Sequence, residues 1–589
     1  MDRFRDTSGA GGSSKVATPG SGGTAAGHRS GLVIDVDYQA ARSVLIARVE
    51  GRGRFIAGSI VPSTATPPID DPSVGARQSL RGIEDHTGLR IVGPDGIDIP
   101  SRAEHGVDVL AVTGQPAIPV RLSIVALGET PMSAPMIAAA RRTVTVVEVL
   151  TGRVRTKDGT LSGALLENAI REFRPDALVL LQGSMVESEW AAAIGTLTSL
   201  VGEEIVNLII IVAGEQYQQE AAQLIGQRAD LRGIDPVEFS VDDIASALET
   251  ELQALYDARV DTTALIASSE PAPFVSRVRA AGLVTRFVAR RREQAVVAVD
   301  VADGTMIHWA TPQQSDVHVR PDIDIGRNVR TIFDADLSVL TQWLPFAVSN
   351  EDLSHWILNR ALRPNTIAES IHDMLIERAI LVELLRTVWS GMYASRQANI
   401  DLIIAGRPFS TMTEPSLAVM TLLDALQPDP DGGVIELVLD TDGLVTAAGA
   451  LGERSPSLAA DVVEHDLIHP FATAVVVRGT ATDGQLAVRG QLQHENGETA
   501  RFTVPHGSIH RVKMHVGETA TLSLTCEGDC TVGGHTQLSD ISAGPDGDLR
   551  TGQFGIVIDA RGRPINQQIN PSLRASRLQS WFEDLGLKI

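Results

Sequence analysis

The sequence predicts an α/β fold that ends in a region of antiparallel β structure. Three observations predict it. From residue 31 to about residue 465, short strands alternate with helices. The strands are nearly continuous apolar runs, such as "ALVLLQG" and "NLIIIVAG", which is typical of strands covered on both faces. Beyond residue 466, short alternating runs are separated by "DG", "NG" and "HG" turns, which favours antiparallel pairing.

The elements of the first half follow in order along the chain. "GLVIDVDY" predicts a strand, and "ARSVLIARVEGRGRFIAGSIVPST" predicts a hairpin that turns at Gly51–Gly53. A helix is expected within "DPSVGARQSLRGIEDHTG", where Val74, Leu80 and Ile83 have helical spacing. Strands such as "VDVLAVTG", "VRLSIVALG" and "TVTVVEVL" then alternate with helices, and long helical segments fill residues 240–295.

The second half begins with the strand "VVAVDVADG", which restarts the pattern. Residues 334–398 are predicted to be largely helical, and "DLIIAG" is a strand followed by the helix "EPSLAVMTLLDALQP". A final helix is expected at "SLRASRLQSWFEDLG". The basic run Arg290–Arg292 is interpreted as the end of a helix, where the helix dipole favours cations.

A chain of 589 residues is too long for a single hydrophobic core. Changes in composition and pattern along the chain predict four segments. Residues 1–30 are rich in Gly, Ser, Thr and Ala and are predicted to be a disordered tail. The changes of pattern then predict a first α/β lobe over 31–294, a second over 295–465, and a C-terminal β domain with its closing helix over 466–589. No apolar leader and no run of about 18 apolar residues is visible, so we expect a cytoplasmic protein.

The charge balance excludes two classes of partner. The formal net charge is −23, so neither nucleic acid nor an anionic membrane is expected as the partner. The two cysteines, Cys526 and Cys530, lie in "TCEGDC", and no second cysteine pair accompanies them. Zinc is therefore weakly supported and no metal site is predicted. The pair is interpreted as two ordinary thiols on a hairpin.

Four places share one design, a buried strand followed by a turn of small residues. Such turns bring backbone N–H groups up to a phosphate. The segments "VIDVDYQ" and "VAVDVADG" are alike although they lie far apart, which suggests that each opens one copy of a duplicated lobe. The candidate nucleotide-binding residues of the four turns are Asp35, Asp37, Gly183, Asp300, Gly304, Thr305 and Gly406.

These turns resemble those of the actin-like ATPase superfamily, which includes sugar kinases, Hsp70 and actin. The resemblance implies a two-lobed fold of duplicated ribonuclease-H-like sheets, in which the paired turns clasp the phosphates of ATP and a magnesium ion. Asp35 and Asp300 each end the first strand of their lobe. They are therefore expected to face each other at the base of the cleft between the lobes.

The C-terminal part is similar to a narrower family, the glutamate mutase accessory proteins often called MutL or GlmL. The similarity rests on "LLDALQP", on "ELVLDTDG" with the "GAL" segment after it, and on "GIVIDARGRPI" near the end. It implies a factor that assists or reactivates a cobalamin-dependent mutase and opens or closes with nucleotide. Such a mutase is then the expected partner.

Asp35 and Asp300 match the superfamily pattern, but each of the four turns departs from it at another position. Asp37 stands where the first turn should carry a glycine, and Ala302–Asp303 replaces the glycine pair of the second. Arg407–Pro408 follows Gly406 in place of a glycine, and Gly183 stands where two glycines are usual. A β-carbon blocks the close approach of backbone to phosphate, and proline removes a donor. The added carboxylates would also repel a phosphate.

The sequence therefore predicts a degenerate nucleotide site that binds Mg-ATP weakly or not at all, in a protein that works through conformation or binding. Two alternatives stay open. In the first, the chain is an active ATPase in which Asp35 and Asp300 hold magnesium through water, and Gly304 and Gly406 suffice for the nucleotide. In the second, it is a structural scaffold that docks through its β domain. Whether the chain is an enzyme stays open with them.

The segment "GIVIDARGRP" predicts one more site. Ile556 and Ile558 are expected on one face of a strand, with Val557 and Asp559 on the other. Arg561 and Arg563 are predicted to lie in an exposed turn. Because arginine pairs with carboxylates, they are candidate residues for binding an acidic partner or for a salt bridge that closes the lobes. The alternative is a strand end with solvated arginines.

Overall fold

The computed structural model describes residues 28–589 apart from 94–95, 100, 102–104, 204, 267–271, 335, 393–398, 430–432, 481 and 566–569. Residues 1–27 of the predicted disordered tail lie outside the described residues, and Ser30 already belongs to the first strand. In the described part of the chain, no helix is long and apolar enough to cross a membrane.

The described residues separate into two compact units. The smaller unit comprises residues 117–260 and 319–321, and the larger unit comprises residues 28–116, 261–318 and 322–589. Nearly all of the smaller unit thus falls within the range 31–294 that the sequence predicts as the first lobe.

The smaller unit is built on a five-stranded parallel sheet. From edge to edge its strands are Asp230–Ile234, Leu208–Val212, Ala177–Gln182, Val120–Leu127 and Thr145–Val149. In chain order this is the arrangement 2-1-3-4-5 of doubly wound sheets. The helices are Ser133–Ala140, Gly163–Phe173, Glu187–Gly202, Glu215–Ile225 and Val241–Asp257. The runs "ALVLLQG" and "NLIIIVAG" form two inner strands that are buried almost throughout, as predicted.

The larger unit contains a first sheet of five strands. From edge to edge these are Phe274–Ser276, Val109–Gly114, Ser30–Val36, Ala40–Val49 and Arg52–Pro62. The chain enters this sheet at Ser30–Val36, which pairs antiparallel with Ala40–Val49, the first strand of the hairpin, and parallel with Val109–Gly114. A short pair, Val92–Gly93 and Gly96–Ile97, stands apart.

A second sheet of eight strands repeats this order. Its opening strand, Val296–Asp300, pairs antiparallel with Thr305–Ala310 and parallel with Leu402–Ala405, which in turn pairs parallel with Val434–Leu439. The two sheets thus share their strand order, and the segments that open them, "VIDVDYQ" and "VAVDVADG", are also alike in sequence. The remaining strands are Ser315–Arg320, Ala472–Val476, Gly555–Asp559 and Ile509–Val512.

The helices of the larger unit include one whose ends follow from its own sequence. Ser276 begins Arg277–Arg292, and its hydroxyl accepts the Arg279 N–H at 3.4 Å, which satisfies a donor that the helix leaves free. Arg290–Arg292 fill the last turn, so the interpretation of this basic run as a helix end is confirmed. The other helices are Pro72–Thr87, Thr262–Ile266, Ser338–Thr341, Asn350–Leu362, Ile371–Ser390, Pro415–Leu426, Leu444–Gly452, Pro456–Val462 and Pro571–Asp584.

A third sheet lies in the C-terminal part, where the sequence predicts antiparallel strands. Its strands are Thr499–Pro505, Leu486–His494, Ala520–Cys526, Gln537–Gly544 and Leu549–Arg550. The first four pair antiparallel, and the short last strand pairs parallel. Residues 466–589 are therefore shared between two sheets, because three of their strands extend the eight-stranded sheet. Cys526 and Cys530 carry free thiols.

The strand Gly555–Asp559 is buried along its whole length. Val557 packs into the core of the eight-stranded sheet and its helices, whereas Ile556 and Ile558 pack into the core of the third sheet. The predicted alternation of these three residues is confirmed.

Candidate functional site

The first turn follows the strand Ser30–Val36 and is held by the side chain of Asp37. Its Oδ1 accepts the backbone N–H groups of Gln39 at 2.8 Å and Ala40 at 2.7 Å. The Asp37 N–H donates to the Ala40 carbonyl at 2.9 Å. An aspartate that bonds its own backbone in this way stabilises a turn. It also occupies two backbone donors that a bound phosphate would need.

The second turn joins the strand Val296–Asp300 to the strand Thr305–Ala310. Asp300 accepts the Ala302 N–H at 3.0 Å, again within its own turn. Gly304 has a φ of +77°, the left-handed region that favours glycine, and it leads into the next strand. This loop is therefore a tight hairpin closed by an aspartate at one end and a glycine at the other.

The first and second turns contact each other. The Tyr38 N–H donates to Asp303 Oδ2 at 3.1 Å, and the Gln39 side-chain amide donates to the Ala302 carbonyl. The hydroxyl of Thr305 donates to a backbone carbonyl 18 residues further along the chain, at 2.8 Å. Thr305 therefore supports the strand that follows the turn.

The third turn follows the strand Leu402–Ala405. The Gly406 N–H donates to the Val299 carbonyl at 2.9 Å, which brings this turn beside Asp300. A β-carbon at Gly406 would lie 2.7 Å from an oxygen of the Asp300 carboxylate. A side chain at this position would therefore have to displace the Asp300 carboxylate.

Two arginines occupy the space between these turns. Arg277 and Arg407 both donate to Asp37 Oδ2. The Arg277 guanidinium also lies 3.8 Å from the Asp35 carboxylate and 3.7 Å from the Asp300 carboxylate, and its side chain is only 3% exposed. Asp35 and Asp300, which the sequence predicts to face each other, therefore both lie against one buried cation.

The charges shift the pKa values of the aspartates in opposite directions. Burial opposes ionisation of Asp37, but the adjacent Arg407 and Arg277 charges hold its pKa well below the usual range. Burial, together with the charges of Asp37 and Asp324, raises the pKa of Asp303 to about 7. Asp37 is thus a permanent anion, whereas Asp303 is half protonated near neutral pH.

A further carboxylate, that of Asp440, sits at the start of a helix. Asp440 follows the strand Val434–Leu439 and accepts the N–H groups of Leu444 at 2.7 Å and Val445 at 3.0 Å. The neighbouring Thr446 hydroxyl donates to the Asp35 carboxylate at 3.0 Å. The helix that begins here therefore anchors Asp35 by a direct hydrogen bond.

These residues enclose a small cavity of about 20 Å³, enough for one water molecule. Asp35 Oδ1, Arg277 Nη1 and His308 Nε2 belong to residues that line it, and none of these atoms has a hydrogen-bond partner among the described residues. Burial lowers the pKa of His308 to about 3, so the imidazole is neutral. The cavity is polar, but it lacks the volume for a triphosphate.

Sequence reasoning missed Arg277, Asp440 and Thr446. Arg277 did carry a signal, since it is a cation in the first turn of a helix, where the dipole disfavours positive charge. Asp440 repeats the arrangement of Asp35 and Asp300, an aspartate at the end of a buried strand. No local pattern marks Thr446.

The remaining predicted nucleotide residue, Gly183, belongs to the smaller unit, whereas the other six belong to the larger unit. It follows the strand Ala177–Gln182, and its N–H donates to the Leu127 carbonyl at 3.0 Å. A β-carbon there would lie 2.7 Å from the carbonyls of Leu127 and Glu129. Gly183 is thus a packing glycine between two loops of its own unit.

The prediction of an exposed turn at Arg561 and Arg563 is wrong. The Arg561 side chain is fully buried, and it donates to Asp559 at 2.9 and 3.0 Å and to Asp424 at 2.6 Å. Arg563 also donates to Asp559, at 2.8 Å, and Arg378 binds Asp424. Because Asp559 ends a strand inside the core, the arginines are held there as its counter-ions.

Comparison with known proteins gives no family assignment. No protein-family model and no curated protein sequence matches the chain. A solved carbohydrate kinase from Novosphingobium aromaticivorans is 12% identical, over 72% of this chain and 93% of its own, with a TM-score of 0.25. An Aquifex aeolicus member of the Ppx/GppA family is 11% identical, over 74% and 90%, with a TM-score of 0.19. A glycerol dehydratase reactivase is 11% identical, over 67% and 94%, with a TM-score of 0.25. Scores this low carry no conclusion about fold or function.

Proposed function

We propose that the chain is a protein of the actin-like ATPase type whose nucleotide site is closed, and that it acts by binding a partner instead of hydrolysing ATP. The two sheets with the same strand order are, on this proposal, the cores of the two lobes. Asp35 and Asp300 hold equivalent places in them, each in the strand that opens its sheet. This equivalence supports the two-lobed interpretation.

The observation that carries the proposal is the pair of arginines bound to Asp37. A magnesium nucleotide in this place would have to displace the buried Arg277 and Arg407 guanidinium groups from three carboxylates. Separating buried ion pairs leaves uncompensated charges and costs about 3–5 kcal/mol for each. The backbone donors of the first turn are already taken by Asp37, and Pro408 has none.

We further propose, from the resemblance of the C-terminal sequence, that the partner is a cobalamin-dependent mutase that the protein assists or reactivates. The segment from Gly555 to Arg563, which carries part of that resemblance, would then act as a structural support in the core. One observation favours the alternative of an active ATPase: Asp35 Oδ1 has no hydrogen-bond partner among the described residues and would accept a metal if Arg277 withdrew.

Titration calorimetry of the full chain with Mg-ATP tests the closed site. We expect no binding at millimolar nucleotide and no release of phosphate, in the wild type and in the exposed control Glu498→Gln alike. Micromolar binding that Asp35→Ala together with Asp300→Ala abolishes would overturn the proposal in favour of the ATPase. The accessory role has its own readout: the chain should restore turnover to a glutamate mutase inactivated during catalysis.

A further inference from the structure

The strand Arg52–Pro62 forms an edge of the first sheet. In the part of the chain that the structure describes, side chains from outside the sheet bind the backbone of its first half but not that of its second half. In the first half, the Gly53 N–H donates to Asp461 at 2.7 Å and the Phe55 N–H donates to Asp466 at 2.8 Å. These carboxylates occupy the outward donors and block further strand pairing there. The edge is closed over this half only.

The second half, residues 57–61, has no such cover. Among the described residues, none outside the sheet bonds to its backbone, and the bulge at Ile56 separates it from the covered half. Ile60 is 51% exposed and Ile56 is 39% exposed. An open edge that presents apolar side chains is a template for an added strand.

A pocket of about 390 Å³ lies beside this open edge, within the size range of ligand sites. Ile60 and Pro62 line it, together with apolar side chains from residues 325–417 of the larger unit. Those apolar residues include Ile325, Met374, Met412 and Leu417. Cross-strand neighbours on one face of a sheet point the same way. A residue paired opposite Ile60 would therefore direct its side chain toward the pocket.

Among the described residues, the charged side chains that line the pocket leave one negative charge unpaired. Arg360 pairs with Glu377 at 3.3 Å, and Arg407 is bound to Asp37, so these charges are balanced. Glu414 also lines the pocket, and no described residue pairs with its carboxylate. The unbalanced charge is thus negative, in a pocket that also has an apolar lining, which suits a long apolar stem with a cationic head.

We propose that residues 57–61 bind an extended segment of a partner protein by strand addition, and that a lysine or arginine of that segment enters the pocket toward Glu414. Main-chain hydrogen bonds supply the pairing, and the pocket supplies selectivity for the basic residue. This surface would serve the partner-binding role proposed above. Its test uses no nucleotide, so its failure would leave the closed site untouched.

Fluorescence anisotropy of labelled peptides against the full chain tests the surface. The probe is Thr-Val-Lys-Val-Thr, compared with the same peptide carrying glutamate in place of lysine. We expect the lysine peptide to bind about tenfold more tightly, a difference equal to about 1.4 kcal/mol. Glu414→Gln should remove most of this preference, and the exposed control Glu498→Gln should keep it. N-methylation of the peptide backbone should abolish binding, since it removes the donors of the added strand.

Equal binding of the two peptides, or binding that survives N-methylation, would overturn the proposal. The other occupant of an open edge is a second copy of the chain. Sedimentation velocity separates the two cases: a concentration-dependent dimer that Ile60→Lys abolishes would identify the second copy and exclude the partner segment.

Discussion

Asp303 should make the stability of the larger unit fall between pH 4 and pH 7. The residue is 4% exposed, and burial with the charges of Asp37 and Asp324 raises its pKa to about 7. In the unfolded chain the pKa of an aspartate is about 3.9. The folded protein therefore holds a proton over an interval in which the unfolded chain has lost it.

The difference between the folded and unfolded pKa of Asp303 sets both the direction and the size of the change in stability with pH. Where the folded state binds more protons, the free energy of unfolding falls as pH rises, by about 1.4 kcal/mol per pH unit for one group. The stabilisation is full below the unfolded pKa and is lost as pH rises to the folded pKa. Over the interval from about 3.9 to about 7 the loss is about 4 kcal/mol.

The substitution Asp303→Asn removes the titration and keeps the shape. The asparagine oxygen still accepts the Tyr38 N–H, which Asp303 binds at 3.1 Å. We expect the variant to match the wild type near pH 4 and to be more stable by about 4 kcal/mol at pH 8, where the wild type carries a buried extra charge.

Urea unfolding measured by tryptophan fluorescence provides the assay. Of the 6 tryptophans only Trp190 lies in the smaller unit, so a Trp190→Phe background reports on the larger unit alone. Glu498→Gln changes the charge equally at an exposed site and is the matched control. Parallel pH profiles for Asp303→Asn and the wild type would refute the reasoning, because they would mean that Asp303 is ionised in the folded protein throughout.

Two substitutions, one of them with a matched control, test the packing of the larger unit by the same fluorescence assay. Arg561→Met should lower the free energy of unfolding by about 3–5 kcal/mol, because it leaves Asp559 and Asp424 with fewer counter-ions in the core; a loss below about 1 kcal/mol would contradict the burial. Gly449→Ala should lower it by about 1–3 kcal/mol, since its β-carbon would lie 2.1 Å from the Ala280 carbonyl where two helices cross. Gly452→Ala, with its nearest atom at 3.6 Å, should change little, and equal effects of the two glycine variants would argue against the close crossing.

The sequence predicted those elements whose burial produces a recognisable local pattern of apolar residues. The run from Ala177 to Gln182 is apolar at nearly every position because helices cover the sheet, so its strand could be located almost to the residue. The rhythm of strands and helices does not change at residue 117, however. For that reason the pattern alone could not show that residues 117–260 form a unit of their own.

The site was harder to predict because its decisive contacts join distant parts of the chain. Arg277 lies 240 residues from Asp37, and no local feature of either residue specifies the other. The aspartates at strand ends could be found, since each follows a buried apolar run. Arg561 was misjudged because arginines after a strand have the same local pattern whether they are solvated or neutralise a buried carboxylate such as Asp559.

The arginine cluster also has a consequence for how the protein is made. Asp37 is synthesised 370 residues before Arg407, one of its two counter-ions. At about 5–20 residues per second, translation separates the two by about 20 to 70 s. During that time the acidic turn has a place in the first sheet but lacks a cation that would let it be buried. Arg277 can pair with Asp37 earlier, but the full set of counter-ions is complete only after the strand Leu402–Ala405 and the turn that follows it have emerged.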